Sequence, residues 1–296
     1  MDKSKFTFVK ASAKVDEVSY VSREDSVWQT LKRDKRAIFA FAVLALLMLA
    51  SIFAFLTPYD PNELAVHKKL QPPSVQHWFG TDEYGRDYFT RILYGGRVSL
   101  AVGFAAMTIS IVIGVLYGTI SAYVGGIVDS LMMRFLDVLM SLPSFFLIMI
   151  LSAYMDVGIL SIIVIIGLLS WMDVARIVRS QTLSIKEREF VQYARATGAS
   201  TTRIIWRHLV PGILPSIIVA ASLNIAFAIL TESSLSFLGL GIQPPDSSWG
   251  SMLNNAQGYI VQAGYLAIFP GLFVLLLILA FNILGDSLQK AIEPKK

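Results

Sequence analysis

The sequence predicts an all-α, polytopic membrane protein with six transmembrane helices. Of its 296 residues, 55% are hydrophobic and only 16% are charged, whereas an ordinary soluble domain carries about 25% charged residues. Six uncharged stretches approach the roughly 17–25 apolar residues that cross a hydrocarbon core as a helix. The first of them also lacks the polar face of a soluble surface helix. The predicted spans are 37–56, 99–124, 138–154, 157–172, 213–230 and 265–284.

The chain divides around these spans. Residues 1–36 are mostly polar and form a predicted N-terminal tail. The first helix, 37–56, is too long for the apolar region of a cleaved signal peptide, so we expect it to be retained. Residues 57–96 form a loop whose prolines and glycines predict several turns. The other five spans form a core domain over 97–286, and residues 287–296 form the C-terminal tail.

The third and fourth predicted spans are short, and only Met155 and Asp156 separate them. A tight helical hairpin is the favoured interpretation, because one long helix would leave Asp156 in lipid. Proline removes a backbone donor and crowds the preceding helical turn. Three spans are therefore expected to kink, at Pro143, Pro215 and Pro270.

Lysine and arginine mark the cytoplasmic side of a membrane protein. Twenty of the 25 Lys and Arg residues lie in the two tails, the second loop and the fourth loop, and the other five precede the second span. Both termini and the fourth loop, 173–212, are therefore predicted to be cytoplasmic, while 57–96 and 231–264 face outward. The chain has no cysteine, which excludes disulfides and thiolate metal sites. Its net charge of +4 gives no reason to expect a nucleic-acid partner.

Two acidic features lie outside the predicted spans. In the motif FGTDEYGRD, Asp82, Glu83 and Asp87 surround Arg86, a set that could hold a metal ion or perform catalysis. A bend fixed by side-chain hydrogen bonds and an Arg–carboxylate pair is the favoured interpretation. Glu232 directly follows the fifth span, and we expect it to be a solvated carboxylate at a helix end rather than a residue that lines a pathway.

The cytoplasmic loop at 173–212 carries the most informative pattern. From Lys186, the sequence KEREFVQYARATG predicts a short helix that closes at Gly198, the residue type best suited to a left-handed C-terminal cap. Ser200 then caps a second predicted helix, TTRIIWRHL, which Pro211 helps to end. Ala194 and Ala196 make the first helix thin enough to enter a groove on a soluble partner. Three arginines could reach carboxylates or carbonyls around that groove: Arg188, Arg195 and Arg203.

This loop resembles that of the integral-membrane permeases of binding-protein-dependent ABC importers. The pattern of that family is Glu-Ala-Ala, three residues, Gly, nine residues, Ile, one residue, Leu-Pro. Ala194, Gly198 and Pro211 match it strictly. The other positions of the pattern hold different residue types: Gln192, Tyr193, His208 and Val210.

Further segments strengthen the resemblance over residues 28–294. They are FGTDEYGRD before the second span, YVGGIVDSLMMRFLDVLMSLPS after it, SFLGLGIQPPDSSWG after the fifth, and AFNILGDSLQKAIEP at the C-terminal end. In this order they are similar to the dipeptide, oligopeptide and nickel branch of the family, and in particular to its second permease subunit. The resemblance implies the type I ABC importer permease fold in a prokaryotic plasma membrane.

The resemblance implies a heteromeric importer. Two permease subunits would form the pathway, two cytoplasmic ATPases would drive alternating access, and an extracytoplasmic binding protein would deliver a peptide or, alternatively, nickel. This chain would supply half of the pathway and one coupling loop. It has no Gly-Lys dipeptide and hence no phosphate-binding loop, so ATP hydrolysis is expected on a partner. The implied ATPase-coupling residues are Arg188, Gln192, Tyr193, Ala194, Arg195, Gly198 and Arg203.

Two other functions are less consistent with the sequence. A secondary transporter would usually carry ionisable residues at the membrane midplane, and the six predicted spans contain none. A membrane enzyme would need a catalytic constellation, but His67, His77 and His208 are the only histidines and form no His-Glu-x-x-His site. We therefore predict no catalytic residue, no metal site and no cofactor.

Overall fold

The computed structural model describes residues 27–155 and 158–292, and the regular elements in these ranges are helical. Twelve α-helices occur within them, joined by 3₁₀ turns, one π-helical turn and loops. The helices are α1 Val27–Arg33, α2 Lys35–Ile52, α3 Tyr88–Val124, α4 Gly126–Met140, α5 Ser144–Tyr154, α6 Ile159–Leu169, α7 Trp171–Lys186, α8 Glu189–Ala196, α9 Thr201–Ile204, α10 Val210–Phe237, α11 Trp249–Ala256 and α12 Tyr265–Ile292.

Five helical segments of the described ranges are long and apolar enough to cross a membrane. A sixth span results if α4 and α5, which meet at an angle of 72°, are counted as one broken span. The prediction of an all-α protein with six apolar spans is therefore confirmed. The five unbroken segments are Lys35–Leu56, Tyr88–Val124, Ile159–Lys186, Thr201–Phe237 and Tyr265–Ile292.

The third span starts before the predicted 138–154, and it breaks at Pro143, where the sequence predicted a kink. Helix α4 ends at Met140 and α5 begins at Ser144, with Pro143 in an extended conformation between them. Proline cannot donate to the helical ladder and pushes the residue before it out of the helical region, so the chain turns here. The predicted hairpin turn at Asp156 lies outside the described residues.

The fourth span does not end at Met172 as predicted. Helices α6 and α7 continue through it as one apolar segment that reaches Lys186. Gly114 and Gly118 of α3 allow this continuation, because a Cβ added at either would come within 2.6 Å of α7 atoms. The charged residues Asp173, Arg176 and Arg179 thus lie on a spanning helix. This 28-residue segment is longer than the roughly 20 residues that cross a bilayer core, so charges on the helix leave the expectation of charge-free spans a prediction.

Two further helix ends differ from the prediction. Helix α3 begins at Tyr88, eleven residues before the predicted second span, because the Asp87 carboxylate caps it by accepting the Thr90 N–H at 2.8 Å. Pro211 does not end the second helix predicted in the loop at 173–212. A π-helical turn, Ile205–Leu209, precedes it and widens the hydrogen-bond ladder that a proline interrupts, so α10 runs on to Phe237.

The buried side chains form several clusters, of which two position the functional regions. One joins α2, α3, α10, α11 and α12 around Trp249, whose Nε1–H donates to the Ile92 carbonyl at 2.8 Å. The second joins α7, α8, α9 and α10 and includes Val178, Ile204 and Ile213. The loop between α7 and α10 therefore shares a core with three of the spanning helices, because Val115 of α3 belongs to the same cluster.

Candidate functional site

Helix α8 is the central element of the loop predicted to be cytoplasmic. It begins after Arg188, whose backbone is extended, and it packs one face inward. Val191 and Ala194 lie on that face, at 1% and 9% exposure, within the cluster that contains Val178 and Ile204. A helix of eight residues is marginal in isolation, so these buried contacts hold α8 in place.

Gly198 closes α8 in a Schellman motif. The Gly198 N–H donates to the Arg195 carbonyl at 3.1 Å, and the Ala199 N–H donates to the Ala194 carbonyl at 3.0 Å. Gly198 has a φ of +81°, a conformation that costs L-residues free energy. Ser200 caps α9 by accepting the Arg203 N–H at 3.4 Å. Both predicted caps of the loop are confirmed.

The outward face of α8 borders an open groove of about 1160 Å³. Two aromatic side chains on this face are exposed to solvent: Phe190 is 45% exposed and Tyr193 is 72% exposed. Glu187 and Glu189 line the groove together with basic residues near the π-helical turn, among them Arg203 and Arg207. Exposed aromatic rings surrounded by charges of both signs are typical of a protein interaction site.

The FGTDEYGRD motif forms a bend before α3. The Asp82 carboxylate accepts hydrogen bonds from the Arg86 backbone N–H at 2.9 Å and from Arg86 Nε at 2.6 Å, and Arg91 Nε lies 3.4 Å away. Burial, followed by the nearby Asp82 charge, raises the pKa of Glu83. Within the described ranges, no three His, Cys, Asp or Glu side chains are grouped as a metal site would need. The predicted bend and its Arg–carboxylate pair are confirmed by the contacts of Asp82 with Arg86.

Glu232 is not the solvated carboxylate that the sequence predicted. It is fully buried, because α10 extends beyond it and α11 covers it. Its oxygens accept hydrogen bonds from the hydroxyls of Ser236 at 2.7 Å, Ser99 at 3.2 Å and Ser233 at 3.4 Å. Because Ser99 also accepts the backbone N–H of Trp249 at 3.3 Å, the carboxylate links α3, α10 and the start of α11.

Comparison with known protein families decides the class of this helical bundle. Residues 110–296 match the model described as "Binding-protein-dependent transport system inner membrane component". The chain belongs to this family. Residues 25–73 of the permease match a second model, the N-terminal TM domain of oligopeptide transport permease C. The resemblance inferred from the sequence is confirmed.

Characterised relatives match the permease over most of its length. It is 44% identical to the dipeptide transport system permease protein DppC of Bacillus subtilis, covering 93% of this chain and 87% of the relative. It is 41% identical to the oligopeptide transport system permease protein OppC of Haemophilus influenzae, covering 91% and 89%. It is 42% identical to the glutathione transport system permease protein GsiD of Escherichia coli, covering 90% and 89%.

The fold of the permease is that of a type I ABC importer permease. A chain of the MetNI methionine ABC transporter, in an inward-facing conformation, superposes with a TM-score of 0.57 at 19% identity. The match covers 69% of this chain and 97% of that chain. At this identity the likeness concerns the fold alone, and it agrees with a multi-pass membrane protein.

The sequence-predicted coupling residues of the permease fall into two groups. Ala194 faces the core of the loop, so its small size serves the packing of α8. The sequence-based expectation that this position enters a groove on a partner is therefore wrong. Arg195 lies over the ring of Tyr123 at 5.4 Å and thereby contacts the end of α3. Arg195 is itself exposed, as are the remaining predicted residues: Arg188, Gln192, Tyr193, Gly198 and Arg203.

Sequence reasoning missed the contacts that anchor α7. Arg179 forms two hydrogen bonds of 2.6 Å with the Asp129 carboxylate on α4, and Lys186 Nζ donates to the Ala122 carbonyl at 3.0 Å. Arg179 and Asp129 are 50 positions apart, so no local spacing indicates the pair. These contacts connect the base of the loop to α3 and α4.

Proposed function

We propose that this chain is the second permease subunit of an ATP-driven peptide importer. The dipeptide, oligopeptide and glutathione permeases described above support a peptide substrate over nickel. In this proposal a second permease subunit completes the pathway, two cytoplasmic ATPases supply the energy, and an extracytoplasmic binding protein delivers the peptide. We prefer ATP-driven import to secondary transport because the chain belongs to this family. Ionisable residues do lie on the spanning helices, so their distribution does not decide between the two functions.

The observation that carries the coupling role is the outward face of α8. Tyr193 and Phe190 stand out from a helix whose inner face is fixed by Val191 and Ala194. A helix with one face exposed and the other packed into a core moves together with that core as a rigid body when a bound partner moves. Movement of a docked ATPase would pass from α8 through the shared core to α7 and α10.

Orientation follows from this role. The surface of α8 must meet soluble ATPases, so residues 187–200, which join the two spanning segments, lie in the cytoplasm in this proposal. The tails at 1–36 and 287–296 are then cytoplasmic, and the loop at 57–96 is extracytoplasmic, in agreement with the distribution of Lys and Arg.

The proposal is tested by purifying the assembled complex and measuring its ATPase rate with the binding protein present. Stimulation by binding protein loaded with di- or oligopeptides is expected, and binding protein without peptide serves as the control. Stimulation by nickel alone, with no response to any peptide, would contradict the proposed substrate class. Hydrolysis by this chain purified on its own would contradict the division of labour.

A further inference from the structure

A cavity of about 510 Å³ lies where α5, the α6–α7 junction and α10 meet. That volume is within the range of small-molecule binding sites. Most of its lining is apolar, and exposed side chains such as Leu223 and Phe227 show that it reaches the surface of this subunit. Its polar lining comes from four residues on three elements: Ser144, Ser170, Asp173 and Asn224.

Two polar atoms in this lining are buried and have no partner within the described residues. Asn224 Nδ2 donates to the Ser170 carbonyl at 3.4 Å and to Ser110 Oγ at 3.2 Å. The Ser170 carbonyl only accepts, so it fixes the amide orientation and leaves Asn224 Oδ1 unsatisfied. The hydroxyl of Ser170, a residue only 6% exposed, is also unsatisfied. Such groups are costly unless something pairs with them.

Asp173 adds a carboxylate to the same cavity. It lies near the middle of the Ile159–Lys186 segment, and it forms no hydrogen bond or ion pair within the described residues. The neighbouring charges on α7 are paired differently, because Arg176 contacts Asp137 at 2.8 Å and Arg179 contacts Asp129. A carboxylate inside a spanning helix is expensive and marks a pathway for polar or charged substrates.

We infer that this cavity is a transit site for the amino terminus of the peptide, an inference that rests on the proposed function. Asp173 supplies the negative charge that an ammonium group requires. Asn224 and Ser170 line the wall beside it. Their unpaired oxygens have almost no exposed area, so these side chains turn toward the cavity to accept a backbone N–H of the peptide. The apolar remainder of the lining accommodates side chains without selecting among them. The site is therefore selective for the ammonium group and tolerant of sequence.

The test uses the assembled complex and a single cysteine in this cysteine-free chain. Ser144→Cys places a thiol on the cavity lining, and its reaction rate with a small thiol reagent is followed by mass spectrometry of this chain. Tri-alanine is added at increasing concentration without binding protein, and N-acetyl-tri-alanine is added in parallel. An N-acetylated peptide that contains lysine distinguishes a terminal ammonium group from a side-chain one.

Tri-alanine is expected to protect the thiol and its acetylated form is not. Asp173→Asn should raise the half-protecting concentration about three- to fivefold, as for loss of one partly hydrated charge pair. The matched control, Asp137→Asn, removes a carboxylate outside the cavity and should leave protection unchanged. The acetylated lysine peptide is also expected to give no protection, because its ammonium group is not at the amino terminus.

Two results would overturn the inference alone: equal protection by free and acetylated tri-alanine, or unchanged protection in Asp173→Asn. In both cases the wild-type complex, reconstituted with binding protein, would still import peptide. Failure of that complex to import any peptide would overturn the proposed function and this inference with it.

Discussion

Gly198 offers a sharp test of the coupling role proposed for the loop that contains α8. Its φ of +81° is required by the Schellman motif that closes α8. A Cβ added at this position would meet no described atom within 4 Å. A substitution therefore acts through backbone conformation and not through a steric clash. Gly198→Val and Gly198→Asn form a matched pair, because Asn tolerates the left-handed region and a β-branched residue does not.

The left-handed conformation costs an L-residue roughly 1–2 kcal/mol. For Gly198→Val this penalty corresponds to about a five- to thirtyfold shift of the local equilibrium away from the closed cap. Gly198→Asn should shift it by much less. Both variants should insert and retain the helix bundle, because Gly198 is exposed and lies outside the apolar spans.

Hydrogen exchange followed by mass spectrometry on the purified complex measures this shift. The segment 189–204 should exchange faster in Gly198→Val than in Gly198→Asn, and co-purification of the ATPases should fall in the same order. If both variants exchange and assemble like the wild type, the cap is not part of the mechanical connection and the reasoning is refuted.

Three more predictions follow from the contacts of buried and exposed residues. Ala194→Arg forces a charge into the core of the loop, so it should lower the thermal stability of the complex. Tyr193→Ala should keep that stability and reduce co-purification of the ATPases. Equal stability of the two variants would argue against the buried position of Ala194. Glu232→Leu leaves the surrounding serine hydroxyls without their acceptor, at a cost of roughly 1–3 kcal/mol of folding free energy. Glu232→Gln keeps an acceptor oxygen and should be more stable than Glu232→Leu. Thermal melting curves of the two variants that coincide would contradict the buried network. Cysteine at Val75, which is 93% exposed, should react only with reagent added outside, and cysteine at Thr202 only with reagent added inside; the reverse pattern would contradict the topology.

Hydropathy predicted the number of spans but not where the helices end. The fourth span was predicted to end at residue 172 because the first charge after the apolar stretch follows it. Helix α7 nevertheless continues, because its inner face, with Val174 and Val178, packs on α3. Hydropathy detects the composition of a segment, whereas backbone hydrogen bonds continue wherever one face stays buried. The charge of Asp173 therefore ended the predicted span without ending the helix.

Local chemistry predicted the site better where it depended on the backbone. Glycine at 198 indicated the cap because only a local φ was at stake. The inward position of Ala194 and the burial of Glu232 depend on residues far away in the sequence, on α7 and α3. No spacing rule within one helix contains that information.

The most direct test of the central claim is a crosslink between α8 and an ATPase subunit. A cysteine introduced at Tyr193, with a short bifunctional reagent, should join this chain to the ATPase in membranes that contain the whole complex. Cysteine at Val75 provides the control on the opposite side and should give no such product. Absence of a crosslink from position 193 in a complex that hydrolyses ATP normally would contradict the account.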